Sequence, residues 1–169
     1  MHLTTASQVV NFARELEDKS AKLYEDLAQV YEEHREAFLS LARENKKNKL
    51  RVQRAYTEFI SDALETGFSF KGLNPEDYSI KTELIEGKGY SGILKRVTEI
   101  EENIQEFYLE AAKQSESFLA DVARAFEMMA KKRVERRLRL RSLQGTISCQ
   151  EEDDLLREKS GKNDSDFFG

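Results

Sequence analysis

One pattern occurs twice in the chain and restricts its fold more than any other feature. A carboxylate stands seven residues before a tyrosine, as Glu17 with Tyr24 and again as Glu101 with Tyr108. Seven residues are close to two turns of an α-helix, so the members of each pair lie on the same helical face. The repeat therefore predicts two similar helical units.

Each copy of the repeat continues into a second segment. That segment starts at Phe38 in the first copy and at Phe126 in the second, and an apolar residue followed by alanine comes three positions later. The same stripe then carries two polar residues, three positions apart, in each copy; these are Asn45, Asn48, Arg133 and Arg136. Each copy thus has the pattern of two helices joined by a turn, a helical hairpin.

Apolar residues recur every three or four positions in four stretches, which is typical of amphipathic helices. The predicted helices cover about 6–33, 36–65, 92–115 and 117–144. Thr5 and Gln8 are predicted to form a capping box before the first helix, and Ser91 to cap the third. Glycine is concentrated between the two hairpins, which predicts a long crossover at 66–91.

Neither hairpin, at about 50 residues, can bury its apolar stripe alone. Together they predict an all-α fold, a four-helix bundle of two helical hairpins joined by a long crossover, in a domain that covers 1–146. Charged residues make up 35% of the chain and there is one proline, a composition that favours long helices. The periodicity fades at Gly145, so we expect 147–169 to be a flexible, polar C-terminal tail.

The order hairpin, crossover, hairpin, together with the Glu-x6-Tyr pairs and the segments that follow them, resembles the rubrerythrin branch of the ferritin-like superfamily over about residues 6–144. The segment 67–78 is also similar to crossovers of that branch. The resemblance implies a ferritin-like four-helix bundle. In such proteins each hairpin contributes one glutamate from its first helix and a Glu-x-x-His pair from its second, and the six side chains hold two iron or manganese ions.

The chain departs from that family pattern at four of the six metal-ligand positions. Carried over residue by residue, the former ligand positions are Glu17, Asn45, Asn48, Glu101, Arg133 and Arg136. Asparagine is a neutral oxygen donor, and a protonated arginine has no lone pair to offer a metal. We therefore expect no di-iron centre, no cofactor and no catalytic residue. The alternative is iron or another divalent metal held at Glu17 and Glu101 with neighbouring oxygen donors.

The two arginines predict a buried ion-pair network. All six positions lie on apolar stripes, and buried charges persist only when they are paired. We expect Arg133 and Arg136 to occupy the vacated metal space and to bridge the two glutamates, with the asparagine side chains closing the network. The alternative is that the last helix rotates or frays, so that both arginines point to water.

A basic run at 131–141 contains seven basic residues and one acid. Such a run is typical either of a nucleic-acid patch or of a solvated helix face. We favour the solvated face with two internal arginines, because the net charge of the chain is −5. The acidic residues 151–154 provide a further hypothesis, in which the tail folds back onto this run.

Three functions remain open at this point. The first is a non-catalytic ferritin-like scaffold that associates with a second copy, as a dimer, or with a protein partner. The second is a divergent metal-binding oxidoreductase or metal-storage protein, and the third is a nucleic-acid-associated protein. Cys149 is the only cysteine, and neither a signal peptide nor a membrane-spanning segment is predicted, so we expect a cytoplasmic location.

Overall fold

The computed structural model describes residues 1–59, 68–82, 87–117 and 119–161, with the backbone path alone for residue 59 and for 146–161. Four long helices account for most of these residues, and they are α1 (Ala6–Val30), α2 (Arg35–Phe59), α4 (Tyr90–Ser115) and α5 (Ala120–Gly161). A short helix, α3 (Pro75–Tyr78), lies in the crossover, and a 3-10 turn (Glu32–His34) joins α1 to α2. The described residues contain one isolated β-bridge and no longer strand pairing. The predicted all-α fold is confirmed.

The ends of three helices agree only in part with the sequence-based expectations. The capping box before α1 is confirmed, because the Thr5 side chain accepts from the backbone of Gln8 and the Gln8 side chain accepts from the backbone of Thr5, both at 3.1 Å. The prediction for Ser91 is wrong: α4 begins at Tyr90, two residues earlier than predicted, and its N-cap residue, Gly89, provides no side-chain cap. The predicted end of α2 near residue 65 lies outside the described residues.

The predicted end of the last helix, at residue 144, is wrong. The backbone of α5 starts at Ala120 and stays helical to Gly161, a length of 42 residues. Beyond Gly145 the segment to residue 160 has no glycine and no proline, and it contains several glutamate, glutamine, leucine and arginine residues, which favour helix. The loss of apolar periodicity after Gly145 therefore indicates a helix without a continuous apolar face, rather than the end of the helix.

The helices pack in two hairpins around a shared core. Helix α1 packs along α2, α4 packs along α5, and α2 also contacts α5. The first and third long helices meet through Phe12 and Phe107, whose rings lie edge to face with centroids 5.2 Å apart. The start of the crossover is held to the N-terminal segment, since Leu3 donates to the carbonyl of Leu73 at 2.8 Å. This packing leaves a layer of charged and amide side chains at the centre of a largely apolar interior.

Candidate functional site: a buried cluster of charged residues

The structure buries all six positions selected from the sequence and joins five of them, all except Asn48, in one hydrogen-bonded cluster. Each side chain belongs to a residue with at most 1% of its surface exposed, and the six are Glu17, Asn45, Asn48, Glu101, Arg133 and Arg136. Helix α1 contributes one of them, α2 two, α4 one and α5 two. The cluster thus draws on every long helix, and its members meet only because the two hairpins pack together.

Arg133 stands between the two carboxylates and bonds to both. Its Nη2 donates to Glu17 Oε1 at 2.6 Å, and its Nη1 donates to Glu101 Oε2 at 2.9 Å. Charge-assisted bonds of this length are among the stronger hydrogen bonds in proteins. The predicted bridge is confirmed for this residue.

Arg136 extends the network toward α2. Its guanidinium contacts Glu101 Oε1, with Nη2 at 3.1 Å, and donates to Asn45 Oδ1 at 2.5 Å. The same group donates to the backbone carbonyl of Leu41 at 3.2 Å and lies over the ring of Tyr24, 5.1 Å from its centroid. Of the two buried glutamates, Arg136 therefore bonds to Glu101, and its Nη1 also lies 3.5 Å from the carboxylate of Glu44 at the edge of the cluster. Both arginines are fully buried, so the solvent-facing alternative is wrong.

The two asparagines have different environments. Asn45 closes the network as expected, because its Nδ2 donates to Glu17 Oε2 at 2.8 Å while its Oδ1 accepts from Arg136. Asn48 does not: its Oδ1 accepts from Arg51 at 3.4 Å, and its buried Nδ2 has no hydrogen-bond partner among the described residues. A buried unpaired amide is unfavourable, so the prediction is correct for Asn45 only.

Two tyrosines complete the cluster, a role that was not predicted for them from the sequence. The Tyr24 hydroxyl donates to Glu101 Oε1 at 2.5 Å, and the Tyr108 hydroxyl donates to Glu17 Oε1 at 2.6 Å. Each tyrosine thus bonds to the carboxylate of the other copy of the repeat. The spacing of seven residues, present in both copies, is the signal from which their place in the cluster could have been inferred.

Electrostatic interactions keep the cluster charged in its interior position. Burial alone would raise the pKa of Glu101, but Arg133 and Arg136 outweigh this effect and lower that pKa to about 2. Burial would likewise lower the pKa of Arg133, whereas the two carboxylates raise it well above its ordinary value. Burial and the adjacent carboxylate both raise the pKa of Tyr108 well above 10. Near neutral pH these groups are therefore a carboxylate, a guanidinium cation and a neutral phenol.

The residues present do not fit a di-metal centre. The space between Glu17 and Glu101 is occupied by the guanidinium of Arg133, which is a cation and offers no lone pair. Over the described part of the chain, no group of three or more histidine, cysteine, aspartate or glutamate side chains is arranged to hold a metal ion. The arrangement can balance buried charge and hold four helices together, but it presents no ligand set for a metal pair.

The basic run of α5 is divided by the fold. Arg133 and Arg136 point into the core, while Arg137 bonds to Gln105 at 2.7 Å and Arg139 bonds to Glu44 at 2.7 Å. Four of the seven basic side chains therefore have partners in neighbouring helices. These arginines thus bond within the bundle, which reduces the positive charge available on the surface for binding nucleic acid.

Comparison of the chain with protein-family models, with curated proteins and with solved structures finds no match. In the portion of the chain that the structure describes, no helix is both long enough and apolar enough to cross a membrane.

Proposed function

We propose that the chain is a non-catalytic helical scaffold of the ferritin-like, rubrerythrin-related kind, in which a buried ion-pair cluster takes the place of a di-metal centre. The observation that carries this proposal is the position of the Arg133 guanidinium, which bonds to the surviving carboxylates from both halves of the repeat. A residue at a ligand position thus supplies the positive charge that a metal ion would supply in the proteins that the chain resembles.

Charge balance supports this interpretation. In the ligand set that the resemblance implies, four glutamates balance two divalent cations. In the buried cluster two glutamates face two guanidinium groups, and the formal charges again cancel. Glu44, which lies 3.5 Å from Arg136 at the edge of the cluster, has its own partner in Arg139 at 2.7 Å. The cluster therefore needs no ion for neutrality, and the helices can pack around it without a metal-dependent folding step.

The burial of the central polar side chains supports a scaffold role. The central polar groups are buried and mostly occupied by one another, so the cluster has no open position at which a substrate could bind. Interaction must then use the outer faces of the helices, either with a second copy or with another protein. We propose association of this kind as the role of the bundle.

Metal analysis tests the proposal. The purified protein is incubated separately with excess Fe²⁺ under anaerobic conditions, Mn²⁺ and Zn²⁺, then desalted and analysed for bound metal. We expect far less than one ion per chain, and a melting temperature that a chelator leaves unchanged. Stoichiometric metal that is lost in a folded Glu17→Gln variant, but kept in the matched Glu15→Gln variant on the exposed face of α1, would instead establish the metal-binding alternative.

A further inference from the structure

The last helix extends beyond the helix against which it packs. Helix α5 has 42 residues, whereas its antiparallel neighbour α4 has 26. Gln144 of α5 donates to Ser91 in the first turn of α4 at 3.3 Å, so the part of α5 after Gln144 passes the end of α4. This part, which we call the α5 extension, covers 145–161 and is about 25 Å long at the usual helical rise of about 1.5 Å per residue.

The basic and acidic segments of α5 cannot neutralise each other within one chain. Lys131, Arg139 and Arg141 are exposed on the half of α5 that packs on the core. The four acidic residues at 151–154 lie in the α5 extension. The first of them, Glu151, comes ten positions after Arg141, which is about 15 Å along a helix axis. Because the backbone is helical from Ala120 to Gly161, the hypothesis that the acidic residues 151–154 fold back onto the basic run is wrong.

We propose that two copies of the chain associate through α5, in antiparallel orientation, about a twofold axis near residue 146. This position is halfway between Arg141 and Glu151 and also halfway between Arg139 and Asp153, so these two arginines of each copy lie opposite the acidic segment 151–154 of the other. The contact is isologous, and the charge pairing therefore forms twice in each dimer. The inference rests on the scaffold role proposed above and adds its surface and its partner.

The outward face of α5 also carries apolar residues that a solvated helix does not require. Val134 and Leu138 are one turn apart and have 37% and 58% of their surfaces exposed. Helical periodicity places Gly145 on the same face, seven residues after Leu138. Gly145 has open space where a Cβ would lie. A small residue next to the twofold axis permits close approach of two helices, and apolar residues on either side provide a packing seam.

Charge reversal tests both the partner and the orientation. Sedimentation velocity over a range of concentrations gives the dimer Kd for the full chain, for Arg141→Glu, and for a variant with Glu151, Glu152, Asp153 and Asp154 all changed to lysine. Each variant alone is expected to dimerise more weakly by about tenfold or more, because every substitution is present twice in the dimer. Arg124→Glu, which alters an exposed arginine near the start of α5, serves as the matched control and is expected to keep the Kd of the unmodified chain.

Mixing the two variants separates pairing from damage to the fold. Arg141→Glu and the lysine variant carry opposite charges at positions that face each other only between copies, so an equimolar mixture is expected to form a heterodimer more tightly than either forms a homodimer. A mixture that stays as weak as the separate variants overturns the proposal. An unmodified chain that is monomeric at all concentrations overturns it as well.

A fluorescent probe shows whether a dimer uses this surface. Cys149 is the only cysteine and lies three residues from the proposed axis, so pyrene attached there reports on the proximity of the two extensions. We expect excimer emission that increases with protein concentration and that needs a correspondingly higher concentration in the Arg141→Glu variant. A dimer without excimer emission associates through another face, which contradicts the proposal. The metal analysis described above tests the buried cluster and does not depend on the surface of α5. The proposal of a metal-free scaffold and the proposal of a dimer through α5 can therefore fail separately.

Discussion

Replacement of Arg133 by methionine tests the buried cluster most directly. Methionine retains an unbranched side chain but removes the guanidinium, which donates to Glu17 at 2.6 Å and to Glu101 at 2.9 Å. The variant leaves two fully buried carboxylates facing the single guanidinium of Arg136. One negative charge in the core then lacks compensation.

The expected loss of stability is large. Removal of one partner from a buried ion pair costs about 3–5 kcal/mol, because the remaining charge stays buried without its counter-charge. Arg133 serves two carboxylates at once, so we expect the upper part of that range. In a domain of this size each kcal/mol lowers the melting temperature by about 2–4 °C, which predicts a decrease of about 10 °C or more.

Urea unfolding followed by circular dichroism measures this effect. The matched control is Arg124→Met, since Arg124 is 75% exposed and pairs with Asp121 on the same helix, where ion pairs contribute about 0.5 kcal/mol or less. Combining Arg133→Met with Glu17→Gln removes one charge of each sign and is expected to recover about 1–3 kcal/mol relative to the sum of the single changes. A cost for Arg133→Met no greater than that of the control, or strictly additive effects, would refute the reasoning.

Three further predictions concern the same cluster. The free energy of unfolding should decrease by about 3 kcal/mol as the pH falls from about 4.5 toward 2. The reason is that Glu101 has a pKa of about 2 in the folded chain against an ordinary value of 4.5, so the unfolded chain binds the proton first. Urea unfolding at a series of pH values checks this, and the Glu101→Gln variant should lack that part of the pH dependence. Tyr108→Phe removes a hydroxyl that donates to Glu17 at 2.6 Å and should cost about 1.5–3 kcal/mol in chemical unfolding, more than Tyr78→Phe at a partly exposed position. A fourfold variant introduces the ligand set that the resemblance implies, with the changes Asn45→Glu, Asn48→His, Arg133→Glu and Arg136→His. It should bind divalent metal in calorimetric titration and gain thermal stability from the metal. A folded variant that binds no metal would contradict the ferritin-like interpretation.

Much of the cluster was predictable from local pattern. The repeat and the three- and four-residue spacings identified the long helices and the six polar positions that face inward. They also predicted that Arg133 would meet carboxylates, since two cations and two anions on apolar stripes have few other stable arrangements. The apolar periodicity gave the wrong end for α5. Periodicity indicates which face of a helix is buried, whereas the length of a helix also depends on the helix propensity of its residues.

The sequence by itself thus determined the helices, the inward positions and the balance of charge, because each depends on spacing along one helix or on composition. Only the tertiary structure decided which groups meet. Tyr24 bonds to Glu101 rather than to the carboxylate of its own helix, and Asn45 joins the network while Asn48 does not. The physical reason is that helical periodicity selects the face a residue occupies, whereas its partner depends on how four helices are rotated and shifted against one another in the packed core.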